Sequence, residues 1–571
     1  MCYNHPMRIS GSQIIIALLR QRGIDHVSGI PGGSILPLYD ELYSAGIRHI
    51  LVRQEQAAGF IAQGEARTTG RAAVCLATSG PGAMNLLTAI ADARCDSVPL
   101  VAITGQVNTD LIGTDAFQEA DTFGLSFPIS KHSMLIKSAE DLLTAVPAAF
   151  AIAETGRPGP VLIDVPRNIQ MERIEIADDA LDGLFGKVYA RYAQKARDKC
   201  AAPSVRDEAL RGFARALSDA ERPVLFVGGG CNSPRASSAV RAFAEAYPLP
   251  VVSSLMGLGV VPSTDALFMG MVGMHGSYCA NRAMHGSDLV LAAGARFDDR
   301  ATGLVSQFCP NAKVLHIDID AAEVNKIIAA QASVVCDVAD AFGGLLPLLH
   351  GMESDSRRSL WLSSMMELRA KETVNSVPGA FIASVPVLAR KAGILPEDII
   401  VTTDVGQHQM WTARHYPIDA PRQLLTSGSL GTMGFGLPAA IGAATANPQK
   451  RVVCFSGDGS ILMNVQELAT LAEEKLDVTV IVLENGVLGM VRQQQEFLFD
   501  RHYSASVFSA RPDLLALARA FGIASVDADS DADWHIKAFA KGPVLVRKRV
   551  AMEENVLPFV PAGKPNIESI R

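Results

Sequence analysis

The chain of 571 residues contains no charge-free apolar run of about 18 residues, so no membrane-spanning helix is expected. Its opening, MCYNHPMRISGSQ, lacks the apolar core of a signal peptide and the Arg- and Ser-rich character of a transit peptide, which points to the cytoplasm. Lys and Arg number only 51 against 59 Asp and Glu, a net charge of −8. Affinity for polyanions rests on clustered basic residues, so a nucleic-acid partner is not expected. The nine cysteines form no CxxC pair and read as small buried hydrophobes in a reducing compartment. Charged residues are too few, at 19% against 49% apolar, for a disordered chain.

What is present is organised around Arg451 to Gly489. Val452 to Phe455 is an apolar strand that stops at Gly457-Asp458-Gly459, and from Ile461 apolar residues recur at helical spacing. A second strand, Val478 to Leu483, ends at Glu484-Asn485. The unit is βαβ, so the strands are parallel and Asp458 and Asn485 share one carboxyl edge. A helix start at Gly459 and Ser460 offers N–H groups to phosphate, and Asp458 and Asn485 offer oxygens to a hard divalent cation.

Length allows three or four domains, and strands alternate with helices throughout, which calls for parallel sheets. Residues 1–185 hold strands near Val27, His49, Ala72, Val98 and Pro160. Residues 186–207 are charged and Ala-rich and read as a linker. A second series, 186–350, has apolar strands running into Gly- or Asp-rich ends, Gly228 to Gly230 among them, and the third domain is 351–571. The fold class is α/β, three doubly wound parallel-sheet domains.

The Gly-Asp-Gly and Asn485 pattern resembles the motif of thiamine diphosphate (ThDP) enzymes, with Glu484 replacing the first Asn of its terminal pair. That resemblance spans nearly the whole chain. It implies Mg2+ on Asp458, Asn485 and the backbone oxygen of Val487. It also implies a diphosphate loop at Val405, Gly406, Gln407 and His408, and pyrimidine contacts from Gly431 and the wedge residue Met433. Glu55 in RQEQAAGF matches the glutamate that shares a proton with the pyrimidine, making the 4′-imino base accessible. Pro81 and Asn85 in SGPGAMNL belong to the same side. Family members bind the cofactor between subunits, so a homodimer or tetramer is implied.

Within that superfamily GIPGGSILP, GTDAFQE, KHS and GARFDDRATG are similar to the catalytic subunit of acetohydroxyacid synthases, also called acetolactate synthases. The resemblance implies a structural FAD lined by Arg157, Gly228, Gly229, Gly230, Leu255, Met274, His275, Gly276, Asp298, Asp318 and Asp337. It also implies decarboxylation of pyruvate and transfer of the two-carbon unit to pyruvate or 2-oxobutyrate. Arg300 would hold the acceptor carboxylate bidentately. Gly33, Phe117, Gln118 and Lys131 would surround the reacting centre or its channel. Met490 and Gln494 would shape acceptor specificity, Gln494 standing where the family usually has Trp. The resulting expectation is weak or no preference for 2-oxobutyrate. Gln54, where many members have His, and Glu65, where many have Tyr, are lesser departures. A small regulatory subunit is a further expected partner. An FAD-dependent pyruvate oxidase, a glyoxylate carboligase and a catalytically silent regulatory paralogue are the competing readings.

Overall fold

A computed structural model describes residues 7–177, 179–349, 356–374 and 376–571. It contains three six-stranded parallel sheets flanked by helices and a short antiparallel pair, Met7–Ser10 with Arg173–Ile176. The first sheet has the order Arg48–Leu51, His26–Gly29, Ala73–Ala77, Leu100–Gln106, Pro160–Pro166, His132–Leu135. The third repeats that plan with Leu424–Leu425, Ile399–Thr403, Arg451–Gly457, Val478–Glu484, Val544–Arg549, Ala524–Asp527. In both, the chain enters one place in from an edge, adds the edge strand, then crosses to build the rest.

The middle sheet runs Phe268–Met271, Val251–Ser253, Pro223–Val227, Leu289–Ala293, Lys313–Asp318, Ala332–Val335. It begins at Pro223–Val227 and reverses direction beside Leu289–Ala293. Open α/β sheets leave a crevice where strand order reverses, at the carboxyl ends of the two diverging strands. The segments after those strands are 30–35 and 78–80 in the first sheet, 228–230 and 294–298 in the second, and 404–406 and the start of helix Asp458–Ile461 in the third. The glycine-rich stretches read from the sequence fall on these three crevices.

The first and third domains pack through helix Glu55–Thr69 against helix Gly436–Ala446, and their buried residues form one continuous apolar cluster. Glycines allow the axes to approach. A Cβ on Gly64 would lie 2.1 Å from Ala439 O, and one on Gly442 would lie 1.8 Å from Ile61 O. Phe60 and Phe435 meet edge to face at 5.4 Å beside this contact.

Two local expectations change. Residues 186–207 are not an open linker: helix Leu184–Arg197 buries Phe185, Val188 and Ala193 and packs on helix Ala139–Glu154, and helix Pro203–Asp219 follows. Its Lys and Arg residues are the solvated side of an amphipathic helix, which a charged composition alone does not distinguish from a linker. The helix expected from Ile461 is split into Asp458–Ile461 and Glu467–Glu474. Asn464 turns the chain between them, its amide donating to Gly434 O at 2.8 Å, an alternative to helical continuation that Asn side chains commonly supply. The eight described cysteines are free, as their scattered spacing suggested.

Candidate active site

The crevices of the middle and third sheets open into one cleft of about 820 Å³. At its third-domain end, strand Ile399–Thr403 delivers Val405, Gly406, Gln407 and His408, and strand Arg451–Gly457 delivers Asp458, Gly459 and Ser460. Strand Val478–Glu484 delivers Asn485 and Val487. Gly457 faces the His408 ring, where a Cβ would lie 2.9 Å from Nδ1. Burial pushes the His408 imidazole down to about 3, so it is neutral, and its buried Nε2 has no protein partner. Ser460 Oγ donates to Val405 O at 2.7 Å, locking the two loops together.

Asp458 accepts from Gly486 N at 2.7 Å, which ties the first metal-ligand candidate to the residue following Asn485. Burial raises the Asp458 carboxyl, as does the nearby Glu484. Asn485 Nδ2 donates to Gln407 Oε1 at 3.3 Å. Val487 pairs with Val507 through hydrogen bonds from Leu488 N to Ser506 O and from Phe508 N to Gly486 O. By the alternation of an antiparallel bridge, the Val487 carbonyl faces away from that pairing. A carboxylate, an amide and a backbone carbonyl form the oxygen-rich donor set that a hard divalent cation takes alongside phosphate oxygens. Among the described residues no group of three or more His, Cys, Asp or Glu converges in another such set.

Gly431 (φ +71°) and Met433 line the same cleft. The loop carrying them continues to Gly434, whose N–H donates to Asp404 Oδ1 at 2.7 Å. Asp404, fully buried and raised to about 6 by that burial, also accepts from Ser456 Oγ at 3.1 Å. It therefore cross-links both diverging strands and the glycine loop, and sequence inspection passed it over.

The middle-domain end of the cleft is lined by Gly229, Gly230, Leu255, Met274, His275, Asp298, Asp318 and Asp337, with Arg157 reaching in from the first domain. Gly228 and Gly276 lie behind this wall. A Cβ on Gly228 would strike Gly294 O at 2.1 Å, so its smallness serves the approach of the two strand ends rather than the cleft surface. A Cβ on Gly276 would strike Met271 O at 2.5 Å. His275 is pushed down to about 3 by burial and its Nε2 is unpartnered. Asp318 is raised to about 6, again chiefly by burial. Asp298 and Asp337 each cap a helix, accepting from Ala301 N at 3.1 Å and Ala339 N at 2.9 Å. Arg157 donates to Glu323 at 2.6 Å and Asp320 at 3.1 Å, a pairing with protein carboxylates that the sequence gave no sign of.

Arg300, Met490 and Gln494 open onto the same cleft. Arg300 sits in the short helix Asp299–Thr302; its Nη1 is 3.4 Å from Met274 Sδ and its Nε 3.6 Å from the exposed Asp299 carboxylate. Met490 and Gln494 lie on helix Gly489–Leu498.

The first-domain residues expected around the pyrimidine and the reacting centre are elsewhere. Glu55 begins helix Glu55–Thr69 and accepts from Asn85 Nδ2 at 2.9 Å; Pro81 and Asn85 belong to helix Pro81–Cys95. Gly33 is exposed, and Gln118 (φ +60°) backs onto Gly80. Phe117 is 89% exposed. None of these lines the cleft of its own chain. Lys131 is not on the wall of its own chain's cleft either. Its ammonium donates to Thr155 O at 2.6 Å and to Ile152 O, at the carboxyl end of helix Ala139–Glu154, and burial lowers it to about 8. A cation at a helix carboxyl terminus is stabilised by the free carbonyls there, a placement that spacing does not reveal.

Residues 9–125 match the N-terminal TPP binding domain of thiamine pyrophosphate enzymes, 210–345 their central domain and 404–547 their C-terminal TPP binding domain. The chain is 46% identical to the acetolactate synthase isozyme 1 large subunit of Escherichia coli (strain K12), over 99% of this chain and 98% of that protein. It is 42% identical to the isozyme 2 large subunit of the same organism, over 98% and 99%. Identity to the acetolactate synthase large subunit of Parasynechococcus marenigrum is 43%, over 99% and 92%. Full-length similarity at this level, three matched domains in order and a third-domain crevice that gathers Asp458, Asn485 and His408 place the chain in the acetolactate synthase large-subunit family of ThDP enzymes.

Proposed function

We propose that the protein is the catalytic subunit of an acetolactate synthase. It decarboxylates pyruvate and joins the two-carbon unit to a second 2-oxoacid, pyruvate or 2-oxobutyrate, the first common step toward valine, leucine and isoleucine. The observation that carries this reading is the opening of Arg300 onto the same cleft as the Asp458 and Asn485 pair. A guanidinium that faces a thioether and an exposed carboxylate suits the carboxylate of an acceptor acid.

ThDP supplies a thiazolium carbon that acts as nucleophile and then as electron sink. The protein's share is placement and proton handling. Asp458, Asn485 and the Val487 carbonyl would hold Mg2+ against the diphosphate, and neutral His408, in the tautomer with its proton on the unpartnered Nε2, can donate to a phosphate oxygen. Glu55, steadied by Asn85, would hold a proton at the pyrimidine nitrogen. Since Glu55 lies off its own chain's cleft, it would serve a partner's, which makes the dimer the active unit. Phe117, Phe127, Leu36 and Met84, all exposed in the same domain, supply apolar surface for that contact.

FAD fits the middle-domain end. The strand-order reversal there provides the crevice, the Gly228 to Gly230 loop keeps the strand ends close, and His275 Nε2 awaits an acceptor. Arg157 would have to exchange a protein carboxylate for pyrophosphate or hold both.

The test is product analysis with ThDP, Mg2+, FAD and equimolar pyruvate and 2-oxobutyrate, with oxygen uptake followed in the same vessel. Acetohydroxyacids without oxygen uptake are expected; acetate with oxygen uptake would make the protein an oxidase. Co-purification with a small subunit and valine titration tests the regulatory partner.

A further inference from the structure

The loop 427–433, which presents Gly431 and Met433 to the cleft, is lashed to helix Pro81–Cys95 and the turn after it by two carboxylates one helical turn apart. Asp92 Oδ2 accepts from Thr432 Oγ1 at 2.8 Å and from Ser427 Oγ. Asp96 accepts from Gly428 N and from Ser429 N, each at 2.9 Å. Ser427 Oγ in turn accepts from Thr432 N at 2.8 Å, closing the loop on itself. Both carboxylate side chains are wholly buried, 0% exposed, and share one cation: Arg67 Nη2 lies 3.2 Å from Asp92 and 3.0 Å from Asp96. The Arg67 guanidinium also lies 5.0 Å over the Phe435 ring, just beyond the loop.

A glycine-rich loop has little stiffness of its own, since Gly residues sample far more backbone space than others. Two desolvated carboxylates that accept two hydroxyl and two amide protons from six consecutive residues supply that stiffness. Desolvating two carboxylates is costly, and here that cost is offset by the Arg67 pairing and by hydrogen bonds from the loop itself.

We propose that Asp92 and Asp96 are positioning residues for the cofactor: through Ser427, Gly428, Ser429 and Thr432 they hold Gly431 and Met433 at the distance that bends and seats ThDP. The first domain thus contributes twice through one helix. Its amino end carries Pro81 and Asn85, beside the Glu55 offered to a partner, while Asp92 and Asp96 shape the chain's own cleft. This rests on the ThDP assignment above.

The experiment measures ThDP affinity of the metal-loaded apoprotein by titration calorimetry, with thermal melting in parallel, for wild type, Asp92→Asn, Thr432→Val and Thr432→Ser. Thr432→Val removes one donor to Asp92, keeps side-chain volume and leaves the Arg67 pairing intact, so it tests the contact even where Asp92→Asn does not fold. The expected result is a Kd raised at least fivefold in Thr432→Val with melting unchanged, a larger rise in Asp92→Asn, and recovery in Thr432→Ser. Wild-type affinity in Thr432→Val, or a rise that Thr432→Ser does not recover, overturns the inference alone. No binding by wild type overturns it together with the assigned function.

Discussion

Replacing Gln494 by Trp is expected to turn an indifferent acceptor site into one that prefers 2-oxobutyrate. Gln494 lines the cleft, and the helix that carries it, Gly489–Leu498, is fixed from behind. Gln493 donates to Val556 O at 3.1 Å and accepts from Val556 N at 2.8 Å, and Arg492 donates to Asn555 at 3.0 Å and Glu496 at 2.7 Å. A new side chain at 494 therefore changes the pocket surface and leaves the helix in place. The two acceptors differ by one methylene, worth about 0.8 kcal/mol when buried against an apolar wall and about 1 to 3 kcal/mol in a fitted pocket. At about 1.4 kcal/mol per tenfold, the product ratio should shift at least about fourfold toward acetohydroxybutyrate. The assay is competition at equal pyruvate and 2-oxobutyrate, with both acetohydroxyacids quantified. A shift under twofold, or a wild-type ratio already strongly favouring acetohydroxybutyrate, would refute the reasoning.

Glu55→Gln keeps the Asn85 contact but cannot share a proton, so CO2 release from pyruvate should fall by about 10² to 10⁴ while calorimetry still shows ThDP bound. Arg300→Gln removes a two-pronged charged hydrogen bond, about 1.5 to 3 kcal/mol for each, and should lower kcat/KM for the acceptor by at least about 100-fold in competition kinetics. Gly64→Ala would gain about 1 kcal/mol from helix propensity, but its Cβ meets Ala439 O at 2.1 Å. With overpacking costing about 1 to 3 kcal/mol, the net effect should be destabilisation of up to about 2 kcal/mol by urea unfolding, and a stabilised variant would show that the two helices separate freely. For His26, burial lowers the imidazole, but Glu65 at 2.8 Å and Asp25 at 2.7 Å more than offset that and leave it raised. A folded value above the unfolded 6.5 means its stabilisation is complete below that pH and is lost as pH rises through the folded value. The melting-temperature gap between wild type and His26→Gln should accordingly narrow from pH 5.5 toward about 8.5; a gap that widens would reverse the assigned sign.

Much of this protein was legible from residue order alone. Strand-then-glycine segments such as VVCFSGDG and LFVGGG announce parallel strands whose carboxyl ends stay open, because backbone near a ligand must be small and its N–H groups free. The Asp458 and Asn485 spacing carries over the third sheet intact, since both lie one residue beyond adjacent paired strands, Gly457 opposite Leu483. Local chemistry of this kind is set by neighbours in sequence. Helix Leu184–Arg197 and the break at Asn464 were not legible, because each depends on a partner surface, helix Ala139–Glu154 and Gly434 O. The meaning of the Asp92 and Asp96 pair needs the loop 427–433, 335 residues on from Asp92 to Ser427. Only the tertiary structure decided that Lys131 caps a helix and that Glu55 lies outside its own chain's cleft. Sequence fixes which groups can donate, accept or coordinate; which of them meet is decided by packing between domains, whose glycine and alanine contacts carry no chemical signature until the helices touch.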